Sequence, residues 1–194
     1  MNENNFLNSG ETPSITCGGY EDEISSGKHF DECIEKSGLF EIWREVTGEM
    51  IQPLPGMNNK NHYRIDRILN PTPRLREAGW TRGLIGVELK KSSIKVGQPL
   101  SQIQDYLRCV WNSPSNIKVF LDYVFLWPLD KCGGPMASMM AQNHYGGVCL
   151  KYSETSEWYR LQFSIGEQFV LLYYFNPQRI EIQNLNVGRR TGSR

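Results

Sequence analysis

Two short apolar stretches, each interrupted by a single acid, constrain this chain more than anything else in it: Tyr63-Arg64-Ile65-Asp66-Arg67-Ile68-Leu69 and Leu84-Ile85-Gly86-Val87-Glu88-Leu89-Lys90. Side chains alternate along a strand, so Ile85, Val87 and Leu89 belong to one face, while Glu88 and Lys90 share the other. Asp66 sits between Ile65 and Ile68, where burying a carboxylate is costly unless a cation or hydrogen bonds compensate it. Two acids converging on one hard cation supply that compensation, and oxygen ligands suit Mg2+ or Mn2+. With the ammonium of Lys90 beside them, they meet the two demands of phosphodiester hydrolysis: an activated water and a stabilised developing negative charge.

A helix is predicted over 100–111, because Leu100, Ile103, Leu107 and Val110 recur at helical spacing and leave Gln102 and Tyr106 one turn apart on a neighbouring face. Asp66, then Glu88-Leu89-Lys90, then Gln102-Ile103-Gln104-Asp105-Tyr106 resembles the PD-(D/E)XK nuclease superfamily, in particular its RecB-like exonuclease branch. Arg64-Ile65-Asp66-Arg67-Ile68 matches that branch's form of the strand acid, and Gly27-Lys28-His29-Phe30 with Glu35 is similar to its N-terminal helix. The motifs come in family order over roughly residues 27–126.

The resemblance implies an α/β, restriction-endonuclease-like mixed central sheet flanked by helices. It also implies that Asp66, Glu88 and the Leu89 carbonyl bind Mg2+ or Mn2+, that Lys90 stabilises charge or orients water, and that Gln102 and Tyr106 position the strand. His29 is an extra ligand in that branch, whereas a first-helix glutamate serves in much of the wider superfamily, so either His29 or Glu45 completes the shell. The pattern departs from the family where Tyr63 replaces a glycine and where the stretch between the acids is long. Each string is also what an ordinary surface yields: Glu-x-Lys fits any exposed strand edge, and Gln-x-x-x-Tyr any helix surface.

Between the two acids, Pro71, Pro73 and Gly79 force a loop. Arg74, Arg76, Trp80 and Arg82 lie in or beside it, and arginine with tryptophan there predicts a nucleic-acid contact, phosphate to guanidinium and base to indole. The same arginines would equally keep an exposed loop in solution.

At 194 residues and 39% hydrophobic, the chain has room for one such domain and little more. Zero formal net charge leaves nucleic-acid binding to local patches. Arg189, Arg190 and Arg194 could make such a patch, or simply belong to an untethered tail. Residues 1–25 read as a flexible arm, 26–130 as the nuclease core and 131–194 as a β-rich extension of the same domain, with β-prone runs at 158–164, 168–175 and 179–183. Helical pattern is expected over 29–47, broken near Gly38, with a further helix over 136–145 and strands over 63–69, 84–90, 118–127 and 148–152.

Five cysteines without a Cys-x-x-Cys pair argue against a zinc ribbon, and without a late cluster no iron-sulfur cluster is expected. Their odd number and the lack of a leader suggest reduced, mostly buried thiols in the cytoplasm, with no membrane span. The expected function is a metal-dependent nuclease, exo- or endonucleolytic, acting on DNA. The alternatives are an inactive nucleic-acid-binding or protein-interaction module on the same fold, and an RNA-directed nuclease of a mobile element.

Overall fold

The structure, a computed structural model, describes residues 20–51, 62–91, 97–129, 140, 142, 144–153, 158–165, 168–176 and 179–185, with the side chains of 97–101 left aside. The first helix, α1 (Glu23–Ser37), starts where the Asp22 side chain accepts a hydrogen bond from the Ser25 amide at 2.7 Å and ends at Gly38, whose φ of 61° takes the left-handed cap that glycine adopts without penalty. A meander of β1 (Phe40–Met50), β2 (His62–Pro71) and β3 (Leu84–Leu89) follows, with the short helix α2 (Pro73–Glu77) between the last two strands. Helix α3 (Gly97–Tyr106) comes next, then β4 (Cys109–Asn112), β5 (Lys118–Val119) and β6 (Leu121–Trp127). The last strands are β7 (Tyr145–Ser153), β8 (Trp158–Ile165), β9 (Gln168–Phe175) and β10 (Ile180–Leu185).

Two predicted helical stretches are strands. Phe40, Trp43 and Val46 have helical spacing, but β-branched and aromatic residues dominate 40–47, and in the structure this stretch pairs along β2 from Phe40↔Pro71 to Glu49↔His62. At the other, the helix stops at Tyr106, an Arg108 amide to Asp105 carbonyl bond closes the turn, and Cys109 to Trp111 pair with Gly48 to Met50 of β1. Part of the expected 70–83 loop is the α2 helix, with Pro73 in its first turn. The arm before residue 20, the 136–139 part of the fourth expected helix, and Arg189, Arg190 and Arg194 lie outside the described residues.

All ten strands form one mixed α/β sheet in the order β10-β9-β8-β7-β6-β3-β2-β1-β4-β5. Strand β2 runs antiparallel to both β1 and β3, whereas β6 runs parallel to β3, the connection that a crossover through α3 permits. The helices lie on opposite faces. Phe30, Cys33 and Ile34 of α1 pack with Ile85, Val87, Leu89 and the Leu161, Phe163, Tyr173 face of the C-terminal strands. Ile103 and Tyr106 of α3 pack with Ile65, Ile68, Trp111 and Val124. The aromatic-rich tail therefore extends the main sheet.

No helix among the described residues is long and apolar enough to cross a membrane. Cys33 and Cys109 are free and buried, as expected, but Cys149 is disulfide-bonded, contrary to a uniformly reduced set of thiols.

The β1–β4 junction needs Gly48. A Cβ there would lie 2.6 Å from Trp111 Cε3 and 2.8 Å from the Val110 carbonyl oxygen, and the fully buried Trp111 has nowhere to go. Gly48→Ala is expected to cost about 1–3 kcal/mol of unfolding free energy, the range for overpacking a filled core. Denaturant titration with an unchanged midpoint would contradict that packing.

Candidate active site at the parting of two strands

The site forms where β2 and β3 stop pairing. Their ladder runs from Leu69↔Ile85 to Arg67↔Val87, and one more step in the same register sets Asp66 opposite Glu88. There the backbone bonds give way to side chains. The Leu89 amide donates to Asp66 Oδ2 at 2.7 Å in place of a strand carbonyl. On its other edge β3 stays attached, for the Lys90 amide donates to the Trp127 carbonyl at 2.7 Å. The Leu89 and Lys90 amides thus both keep partners where the ladder gives way to the two carboxylates.

Around Glu88 the predicted residues converge. Lys90 Nζ donates to Glu88 Oε1 at 2.7 Å, which fulfils the expectation that the two side chains share a face. The Tyr106 hydroxyl lies 3.0 Å from both Glu88 Oε2 and the Arg64 carbonyl, one phenolic proton serving two acceptors, and Gln102 Nε2 donates to that hydroxyl. Burial pushes the Tyr106 phenol far up, the charge of Glu88 adds to this, and the group stays a donor.

Glu88 is only 3% exposed. Burial, then the charge of Asp66, raises its carboxyl to about 7, against the opposing pull of Lys90 and Tyr106. Burial alone would lower Lys90, but its bond to Glu88 and the negative charges of Glu88, Glu23 and Asp66 outweigh it, so the ammonium is held above its ordinary value.

On the α1 face, Asp66 and Leu89 line a cavity of about 640 Å³ that also reaches Glu23, Gly27, Asp31, Glu45, Arg64 and Arg67. Gly27 lets α1 come close, since a Cβ there would meet Leu89 Cδ1 at 2.9 Å and Arg67 Nη2 at 3.4 Å. Asp31 ties the helix to β2 and β1, one oxygen accepting from Arg67 Nε at 2.7 Å and the other from Arg44 Nε at 2.8 Å. The Ser26 hydroxyl donates to the Lys90 carbonyl at 2.9 Å and pins the end of β3 to the same helix.

The remaining expectations divide. Glu45 lies on β1 instead of a helix, lines the cavity, and is ion-paired with Arg64 at 3.1 Å and Arg67 at 3.6 Å. His29 is engaged by the Tyr20 hydroxyl, away from the residues that line the cavity. Trp80 is 2% exposed and packs on Tyr123, which overturns its expected stacking on a base. Arg74, Arg76 and Arg82 flank the start of β3, roughly 20 Å along that strand from Lys90 at 3.3 Å per residue. Arg76 donates to the Arg82 carbonyl at 2.7 Å, and Arg82 lies over the Tyr123 ring.

Sequence reasoning missed Glu23, placed in the expected arm, although its carboxylate is 3.7 Å from Lys90 Nζ. It also passed over Asp31. The signal was there: Glu23, Gly27, Asp31 and Glu35 recur every fourth residue and form the helix face that lines the cavity.

Among the described residues, no three His, Cys, Asp or Glu side chains converge on one point. Asp66 and Glu88 offer two hard carboxylates, a donor set suited to Mg2+ or Mn2+, which keep several waters, and poorly suited to the closed shell of structural zinc. Searches of protein-family models, curated proteins and solved structures find no match to this chain.

The raised Glu88 carboxyl makes a pH prediction. Between about 4.5 and 7 the folded chain holds a proton on Glu88 that the unfolded chain has lost, so this group's contribution to stability falls as pH rises through that window. In chelator-containing buffer, Glu88→Gln is expected to gain stability relative to the parent as pH goes from 5 to 8, read by denaturation at each pH. A difference independent of pH would contradict the assignment.

Proposed function

We propose that the chain is a divalent-metal-dependent nuclease of the PD-(D/E)XK type, RecB-like, with DNA as its substrate and a restriction-endonuclease-like arrangement of its N-terminal half. One observation carries the reading: Glu88, Lys90, Gln102 and Tyr106, all singled out from the sequence, meet in one hydrogen-bonded cluster at the parting of β2 and β3, and Asp66 is bonded to the Leu89 amide between Glu88 and Lys90. The β1-β2-β3 meander followed by the α3 crossover to a parallel β6 supports it.

Asp66 and Glu88, with the Leu89 carbonyl, would hold Mg2+ or Mn2+, which when bound neutralises phosphate oxygens and eases the ionisation of water. Such a cation also answers the cost of the site, for it would offset the repulsion between Glu88 and Asp66 and draw the last proton off Glu88. Lys90, kept charged by its acidic neighbours, donates toward the charge that grows on the phosphate oxygens. Tyr106 fixes one oxygen of Glu88 and Gln102 fixes Tyr106, so the carboxylate presents the same face at each turnover.

Digestion of single-stranded DNA, duplex DNA and RNA with Mg2+ or Mn2+ is the test. Asp66→Ala and Glu88→Ala are expected to abolish cleavage and keep the fold. Lys90→Ala should lower turnover by roughly 10²–10³-fold, the range for loss of one transition-state donor, with substrate affinity changed far less. Equal activity of Asp66→Ala and the parent would end the nuclease reading. RNA cut in preference to DNA would move the substrate, and metal-independent binding without cleavage would favour a binding module.

A further inference from the structure

The cavity on the α1 face holds two arginines of β2 in different states. Arg67 belongs to the frame, since its side chain is 12% exposed, its Nε donates to Asp31, and its Nη1 donates to the Asp66 carbonyl at 2.7 Å. Arg64 is the opposite, with a side chain 68% exposed. It precedes Asp66 by two residues on the same face of the strand, roughly 7 Å away at 3.3 Å per residue, and both line the cavity. Its carbonyl is held by the Tyr106 hydroxyl, so the Arg64 backbone moves with the catalytic cluster.

What occupies the Arg64 guanidinium is Glu45. Its Oε2 lies 3.1 Å from Arg64 Nε, its side chain is 52% exposed, and its backbone takes φ 50°, a left-handed conformation unusual for glutamate. The register of β1 on β2 sets Glu45 opposite Asp66, where Arg44↔Arg67 and Val46↔Ile65 flank it. A pair this exposed is screened by solvent and held weakly. A phosphate can offer the same guanidinium two parallel bonds.

We propose that Arg64 grips the backbone phosphate beside the one positioned at Asp66 and Glu88, and that Glu45 is a latch that occupies Arg64 until a DNA strand displaces it. The inference deepens the nuclease reading and rests on it. Glu45 then opposes binding twice, by competing for the guanidinium and by placing a negative charge beside the incoming phosphate. A polyanion that makes several contacts at once can displace so exposed a partner.

The test is binding of a fluorescent single-stranded DNA oligonucleotide to the full chain in chelator, by anisotropy at several salt concentrations, with cleavage in Mn2+ measured in parallel. Arg64→Gln is expected to weaken binding about tenfold, as for loss of one charge-assisted contact, and to reduce the salt slope by about one. Glu45→Gln should tighten binding severalfold. In the Arg64→Gln background, Glu45→Gln should tighten it far less, because the latch has nothing left to hold.

Both side chains are exposed, so neither substitution threatens the fold. Arg64→Lys, which keeps the charge and loses the fork, should fall between parent and Arg64→Gln. Equal tightening by Glu45→Gln with and without Arg64 would reduce Glu45 to a general repulsive charge and overturn the latch. Unchanged affinity in Arg64→Gln, or in Glu45→Gln, would overturn it too. The anisotropy pattern decides the latch and the cleavage assay decides the nuclease reading, so either can fail alone; no DNA binding by the parent overturns the latch.

Discussion

The structure turns on one interrupted ladder. Had β2 and β3 stayed paired to the end of β3, the Leu89 amide would have gone to a strand carbonyl, and Asp66 and Glu88 would have been ordinary cross-strand neighbours with like charges. Instead the Asp66 carboxylate takes that amide and the Tyr106 hydroxyl reaches the Arg64 carbonyl, so both backbone groups keep a partner where the strands part. Both helices serve that parting from opposite faces: α3 brings Tyr106 up against Glu88, and α1, allowed close by Gly27, closes the other side with its acidic stripe.

Charge around that parting is nearly balanced pairwise. Lys90 answers Glu88, Arg67 and Arg44 share Asp31, and Arg64 answers Glu45. The imbalance falls on Glu88, whose carboxyl is raised mainly by burial and next by Asp66. A group so perturbed, in contact with a lysine and beside a second carboxylate, has the character of a functional site and is hard to account for as packing alone. Stability alone would favour an apolar residue at this depth in the sheet.

Much of this was legible in the chain. Alternation of apolar and charged residues located β3 and set Glu88 beside Lys90, and motif order tied Asp66 and the Gln102–Tyr106 turn to the same place. What was not legible came from competition between signals. Phe40, Trp43 and Val46 carry a helical period within a stretch whose residue types prefer a strand, and pairing with β2 decided the matter. Trp80 looked like an exposed loop aromatic, yet α2 folds back and buries it against Tyr123, a tertiary contact that local sequence does not encode. His29 carried the weight of a motif, while the four-residue stripe of Glu23, Gly27 and Asp31 on the same helix is what faces the cavity.

Asp66 and Glu88 would together form a site for a hard divalent cation. Mn2+ binding to the full chain at neutral pH, followed by electron paramagnetic resonance of the free ion, tests it most directly. Saturable binding is expected, lost in Asp66→Asn and in Glu88→Gln, and weakening as pH falls below about 7, where Glu88 takes up its proton. Mn2+ binding equal in the parent and in both variants, or none in the parent, would contradict it.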